Sequence, residues 1–482
     1  MLFNSWEYIL LYVPIVLSVY FLLNKKHLIT ASTVWLVCAS LFFYGYLNPT
    51  YLLPLILISI CFNFAVGSGL NNLTFNSKIS KRALLTFGIV CNLALLGYFK
   101  YMDFFITNIN GLLHCDLSLL HVILPLGISF FTFTQSAYLV DSYQGKTKEY
   151  DFLNYALFVS FFPHLVAGPI IHHAEMMPQF ERLKNKFINW KNLSEGLFLF
   201  LIGLFKKVII ADSLAKWANM GFDSTSPLSC LEALSSLLSY TFQIYYDFSG
   251  YTDMALGISK MFNIDLPQNF NNPYKAIDIQ DFWRRWHMTL SRFLRDYLYF
   301  PLGGSRKGNV RTYVNILIVF FICGLWHGAS WMFIIWGTLH GLASAINRLW
   351  QRTNIELPRW LSWIITFSFV NFAWIFFRAK DLAVAKNMIK SLLGLNGFAV
   401  PKIYGVTIKY LPHISNIADW DTISLFLPPL LILVIFIGFF HKIPSNLKPT
   451  LCYSILMITL FILSMFKVLS PEYTSSFIYF NF

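Results

Sequence analysis

Apolar runs long enough to cross a bilayer recur along almost the whole 482-residue chain, and they constrain its fold more than any other feature. The first runs from about Trp6 to Leu23. Others lie near 30–47, 51–68, 84–102, 121–140, 152–171, 196–211, 231–247, 312–329, 331–349, 360–377, 425–440 and 451–469. A helix needs about 20 predominantly apolar residues to span the hydrocarbon core, so the spacing predicts about 11–13 transmembrane or re-entrant helices. Backbone in lipid must satisfy its own hydrogen bonds, which a helix does within one segment. The expected class is therefore an all-α polytopic membrane protein. Hydrophobic residues make up 56% of the chain and charged residues 12%, against roughly 25% charged in soluble domains. This excludes a disordered chain, a secreted disulfide scaffold and an ordinary soluble enzyme.

The charge balance, 36 basic against 23 acidic residues, would raise nucleic acid as a partner for a soluble protein. In a membrane chain it reads as Lys and Arg retained in cytoplasmic loops, with no nucleic-acid partner. Lys25 and Lys26 follow the first span and no basic region precedes it, the reverse of a cleaved signal peptide. The expectation is a retained span with the N-terminus outside. Lys78, Lys81 and Arg82, then Lys146 and Lys148, then Arg182, Lys184, Lys186 and Lys191 mark inside turns, and so do His441, Lys442 and Lys448. The C-terminus is then outside. Two inside clusters flank 152–171, so that segment should enter and return, and Pro163, Gly168 and Pro169 suit a broken helix. The stretch 378–424 should be an outside loop. Its five lysines strain the rule, which applies poorly to longer loops. We read residues 1–482 as a single integral membrane domain, with a core at 243–341 and an extracytoplasmic tail at 470–482. The seven cysteines (38, 61, 91, 115, 230, 323 and 452) form no CxxC pair, so neither a zinc site nor a redox motif is indicated.

Residues 248–311 break the pattern, being polar, aromatic and basic. Asp278 or Asp281 can cap a following helix, FWRRWHMTLSRFLRDYLYF (282–300). In one continuous helix Arg284, His287, Ser291 and Arg295 fall on one stripe, and Trp283, Trp286, Leu290, Phe293, Leu294 and Tyr297 favour the other side. One reading is an interfacial helix on the cytoplasmic side. The other is the floor of an anion site, with Arg284, Arg285, Arg292, Arg295, Arg306, Lys307 and Arg311 available to phosphates.

Three histidines in this part of the chain can carry chemistry. His327, in GLWHGAS, lies between apolar runs, and an ionisable side chain deep in a membrane protein is a functional candidate by default. Apolar surroundings disfavour the imidazolium, and a neutral ring can take a hydroxyl proton as the oxygen attacks a thioester. The alternative is a hydrogen-bonded core histidine. His340, in TLHG, is the rival base. His287 could bind a donor phosphate or an acyl carbonyl, or line a polar surface. His164, His172 and His173 occupy or follow the broken segment. HHAE at 172–175 only faintly suggests a metal, without an HExxH, and no metal is expected. PLGGSRKGN (301–309) lacks the GK[ST] of a phosphate loop, and neither GxSxG nor GxGxxG occurs.

FWRRWHMTLSRFLRDYLYFPLGGSR (282–306) followed by GLWHGASWMFIIWGTLHG (324–341) resembles the membrane-bound O-acyltransferase family. QIYYDFSGYTDMALG (243–257), FPHLVAGPI (162–170) and the opening MLFNSWEYILLYVPI match its bacterial polysaccharide-acetylation branch, which serves alginate or peptidoglycan. The resemblance implies helices ringed around a transmembrane tunnel in the bacterial cytoplasmic (inner) membrane. It implies catalytic roles for His327, which matches the family's buried histidine, and for His287. The latter matches a position held by Asn in eukaryotic members and His in this branch. It implies no bound cofactor and a cytoplasmic acyl thioester donor, acetyl-CoA or a carrier-borne thioester, met by Arg284, Arg285 and Arg295.

The tail, SSFIYFNF (475–482), is similar to a Phe-x-Tyr pattern in a small partner of the teichoic-acid D-alanylation system. This suggests that Tyr479 accepts the acyl group from within the tunnel. A phenol of pKa about 10 leaves more readily than an alcohol, so an extracytoplasmic transferase of SGNH type could pass the acetyl on to polymer. The other reading of the tail is an aromatic interface anchor. Two further readings of the chain are a multispan transporter of an acyl donor or lipid-linked sugar, and a membrane scaffold for a separate acetyltransferase. The paired histidine blocks argue against both.

Overall fold

A computed structural model of the chain describes residues 1–72, 78–147, 149, 151–166, 168–397, 450–471, 473, 477 and 478. Among these residues every regular element is helical. Six helices are long and apolar enough to cross a membrane: Tyr8–Lys25, Pro49–Asn71, Ser80–Leu113, Asn309–His327, Arg359–Arg378 and Leu451–Val468. This is a multi-pass membrane protein, and among the described residues a shorter apolar helix, Ile29–Gly45, accompanies the long ones. The chain divides into two compact units. One joins Met1–Phe205, Gly250–Asn269 and Thr450–Phe482; the other joins Lys206–Ser249 and Phe270–Pro449.

In the first unit the opening segment begins with a π-helical turn, Tyr8–Tyr12, and runs as an α-helix from Val13 to Lys25, ending where the basic pair interrupts the apolar run. The segment 152–171 is broken as its prolines predict. Asp151 caps the helix Phe152–Ser160 by accepting from Leu153 N at 2.7 Å. The helix stops at Phe161, whose ψ of 108° leaves the helical region, and a single turn, Phe162–Leu165, follows. A carbonyl only accepts, so His164 Nε2–H donates to Phe158 O at 3.0 Å and repairs the break. That buried histidine serves the backbone.

The boundary near 247 differs from the sequence reading. The run ending at 247 was expected to give way to a polar segment at 248, whereas the helix Cys230–Met261 continues for 32 residues. The reason is size rather than hydropathy. Without a hydrophobic drive, membrane helices associate through small residues that let backbones approach. A Cβ on Gly203 of the helix Trp190–Phe205 would lie 2.5 Å from the carbonyl oxygen of Gly250. A Gly203→Val substitution is expected to lower stability by about 1–3 kcal/mol or more by overpacking this contact. The thermal unfolding midpoint in detergent reads this. Gly111→Ala is the control, because a Cβ there meets nothing within 4 Å.

In the second unit, Asn309–His327, Trp331–Trp350 and Arg359–Arg378 match the expected runs closely. Part of the expected loop 378–424 is instead helix. Leu382–Leu392 is capped by Asp381, which accepts from Val384 N at 2.8 Å, and it buries Ala385 and Met388. Its lysines sit on an amphipathic pattern that a count of loop charges does not register. The expected run 425–440 and Tyr479 lie outside the described residues.

Candidate active site

The helix expected over 282–300 is not continuous, and its break builds the site. Asp278 caps a short helix, Ile279–Trp283, by accepting from Asp281 N at 2.8 Å. The chain then turns through residues 284–287, where Trp286 N–H donates to Phe282 O at 2.8 Å and Ser291 Oγ donates to Trp283 O at 3.0 Å. Helix resumes at Met288–Leu294 and widens into a π turn at Arg295–Tyr299. His287 occupies the corner with φ 44° and ψ 54°, a left-handed conformation that costs a β-carbon residue about 1–2 kcal/mol. Such strain persists where packing over-determines it, and it concentrates at functional sites.

This break undoes the expected stripe. His287 is fully buried, while Arg284 and Arg295 are exposed and Arg285 is half-buried. Two of the three arginines already hold carboxylates: Arg285 Nε donates to Asp281 at 2.8 Å, and Arg295 donates to both oxygens of Asp296 at 2.7 and 3.2 Å. The three therefore do not share one face with His287.

The histidines do come together. The ring of His287 meets Phe248 edge-on at 4.8 Å between centroids and lies 6.2 Å from Trp326. Trp326 lies 4.9 Å from His327. On its other side His327 stands edge-on to Trp336 at 4.9 Å, and Trp336 meets His340 at the same separation. His327 is 3% exposed and His340 fully buried. A glycine-to-glycine contact fixes this arrangement. His327 ends the helix Asn309–His327, and three residues later Ser330 caps Trp331–Trp350 by accepting from Met332 N. The two helices meet at Gly324 and Gly337, where a Cβ on either would collide with the other helix's backbone.

The rival bases are not equivalent. The Trp283 indole N–H donates to His340 Nδ1 at 3.2 Å. An indole nitrogen only donates, so Nδ1 holds the lone pair and Nε2 carries the proton. The basic nitrogen of His340 is thus already occupied. His327 sits at a helix C-terminus, whose partial negative charge compensates a proton arriving on its ring. An enclosed site with a neutral imidazole at such an end can accept a hydroxyl proton and return it to a leaving thiolate.

One buried ionic group was missed in the sequence. Lys207, in the π turn Lys206–Ala211, donates to Asp212 at 2.9 Å and to Asp247. Asp247 immediately precedes Phe248, the ring packed on His287. Ionisable residues inside the apolar runs 196–211 and 231–247 were the available signal. Among the described residues, no group of three or more His, Cys, Asp or Glu is placed to hold a metal ion.

An enclosed histidine cluster at the turn of two glycine-packed membrane helices is the setting in which the sequence motifs lie, and residues 52–383 match the family description "MBOAT, membrane-bound O-acyltransferase family". The chain belongs to this family and is an acyltransferase. It is similar to the peptidoglycan O-acetyltransferase of Helicobacter pylori, 46% identical over 481 residues, covering 93% of this chain and 90% of that protein. It is 36% identical to the Pseudomonas aeruginosa protein named "Probable alginate O-acetylase AlgI", over 84% of this chain and 77% of that protein. The teichoic acid D-alanyltransferase of Bacillus subtilis is 30% identical over 53% of this chain and 69% of its own length.

The corner at His287 carries its own prediction. Asn tolerates left-handed backbone and keeps a side-chain donor and acceptor. His287→Asn is expected to retain transfer activity at least about tenfold above His287→Leu, which combines strain with loss of the polar edge. Matched membrane levels and initial rates of acyl transfer check this.

Proposed function

We propose that the protein moves an acetyl group from a cytoplasmic thioester, acetyl-CoA or a carrier-borne equivalent, across the bacterial inner membrane. The acetyl then serves O-acetylation of an extracytoplasmic polysaccharide. Support comes from the relatives named as peptidoglycan and alginate O-acetylating proteins. The observation that carries the mechanism is His327, held nearly out of solvent while the rival His340 is engaged by Trp283.

In this reading the donor's phosphates meet the cytoplasmic surface bearing Arg284, Arg285 and Arg295, and its acyl arm reaches His327 through a tunnel. The acceptor hydroxyl arrives from the other side. His327 takes its proton as the oxygen attacks the thioester carbonyl; the C–S bond breaks, and the proton passes to the thiolate. His287 orients the reacting group. With both termini outside, Tyr479 is the first acceptor, and its phenolic ester is activated for an SGNH-type partner that loads the polymer. His340 Nε2 and the indole nitrogen of Trp336 are buried with no hydrogen-bond partner among the described residues. Buried donors of this kind cost about 1–3 kcal/mol each unless something meets them, and a substrate oxygen is one group that would.

The test is mass spectrometry of the intact tail after proteoliposomes are given labelled acetyl-CoA. Acetyl on Tyr479 and stoichiometric release of free thiol are expected. An unmodified tail together with a fully active Tyr479→Phe variant would end the relay. Donor uptake without thioester consumption would favour a transporter.

A further inference from the structure

A second arrangement, in the first unit, has the order that nucleophilic catalysis requires. Thr147 Oγ1 lies 2.6 Å from His173 Nδ1, and His173 Nε2 lies 3.1 Å from Glu149 Oε2. The direction of these bonds follows by elimination. A carboxylate only accepts, so Nε2 carries a ring proton; in the neutral ring Nδ1 then holds the lone pair, and the Thr147 hydroxyl donates to it. Nucleophile, base and orienting acid are thus within hydrogen-bond reach in sequence.

The three side chains are also held from behind. Thr147, His173 and Glu149 are 6%, 5% and 7% exposed, so little water competes for their bonds. The other oxygen of Glu149 accepts the backbone N–H of Asp151 at 2.9 Å, and Asp151 caps the helix Phe152–Ser160. His173 opens the helix His173–Glu181, and its ring packs at 5.4 Å from Tyr138 and 5.1 Å from Phe158. A hydroxyl needed only to pin a loop is served as well by a backbone carbonyl. Here it lies against an imidazole nitrogen, a group that can accept its proton.

We propose that Thr147 is a second acyl-accepting nucleophile of this chain, activated by His173 and aligned through Glu149, with thioesters and other activated esters as donors. Thr147 Oγ attacks the acyl carbonyl while His173 Nδ1 takes the hydroxyl proton. The carbon–sulfur bond breaks, and His173 returns that proton to the thiolate, which leaves as a thiol. Water then attacks the Thr147 ester, His173 again moving the proton, and the acyl group departs as a carboxylic acid. The net reaction is hydrolysis of the thioester. It needs only the acyltransferase's own class of donor and does not depend on the role of His327.

The experiment uses the full-length His327→Ala protein in detergent, incubated separately with labelled acetyl-CoA and with p-nitrophenyl acetate, then digested and sequenced by mass spectrometry. Acetyl is expected on the peptide bearing Thr147, retained in Thr147→Ser and lost in Thr147→Val. Labelling should slow by about 10²–10⁴-fold in His173→Gln, and Glu149→Gln should slow it as well. An unlabelled Thr147 with both donors, or labelling at the parental rate in His173→Gln, would overturn the proposal. A purely structural trio would lower the unfolding midpoint of these variants and leave the parental Thr147 unlabelled. Should Thr147→Val fail to fold, the site of labelling in the parent and in Thr147→Ser decides the matter.

Discussion

Substitution His327→Ala is expected to lower acyl transfer by about 10²–10⁴-fold, the range over which a positioned general base acts. The loss should fall on kcat more than on KM, because the ring is needed when the hydroxyl proton moves rather than when the donor docks. His340→Gln is the informative contrast. Its acceptor atom can still meet the Trp283 N–H, so activity within about tenfold of the parent is expected if His340 is a packing group. Initial rates of thioester consumption at matched membrane levels measure both. Parental rates in His327→Ala would remove the base assignment. Equal losses in both variants would move it to the whole cluster.

The second large effect concerns stability. Lys207→Met is expected to cost about 3–5 kcal/mol, because it leaves the carboxylates of Asp212 and Asp247 without their ammonium in a buried setting. The side chains of Lys207 and Asp247 are each 3% exposed, so water cannot take over the lost interaction. Adding Asp247→Asn removes one of the stranded charges and should recover much of the loss, which a double-mutant cycle on unfolding midpoints would measure. A single variant as stable as the parent would show that water reaches the site. Activity should fall further than stability alone explains, because Asp247 precedes the ring that packs on His287.

Elements governed by hydropathy and by helix-breaking residues were legible in the sequence. The helices Asn309–His327 and Trp331–Trp350, the cap at Asp278 and the break near Pro163 all follow from local rules. The corner at His287 did not, because nothing in FWRRWHMTL disfavours a continuous helix. The left-handed residue stands where Trp283, Trp286 and His287 are all buried, a tertiary circumstance that local sequence does not carry. The extension of helix past Phe248 was hidden for the opposite reason. It carries Gly250 and Gly257 among its residues, and their value lies in close backbone approach, which a hydropathy window cannot register. The occupied nitrogen of His340 depends on Trp283, 57 residues away in sequence, and no spacing rule joins them. Tyr479 was singled out by resemblance to a tail pattern, and its place lies outside the described residues.

The contact of Gly324 with Gly337 has a consequence for how the two helices can move. Carriers that alternate between leaflets need helices that slide past one another, and two backbones in van der Waals register have no slack for sliding. The turn bearing His327 is in this sense an anvil. The acyl group is what must move, while this helix pair is packed to keep its register. Ligands intended to block the transfer can accordingly be designed against a helix pair of fixed register.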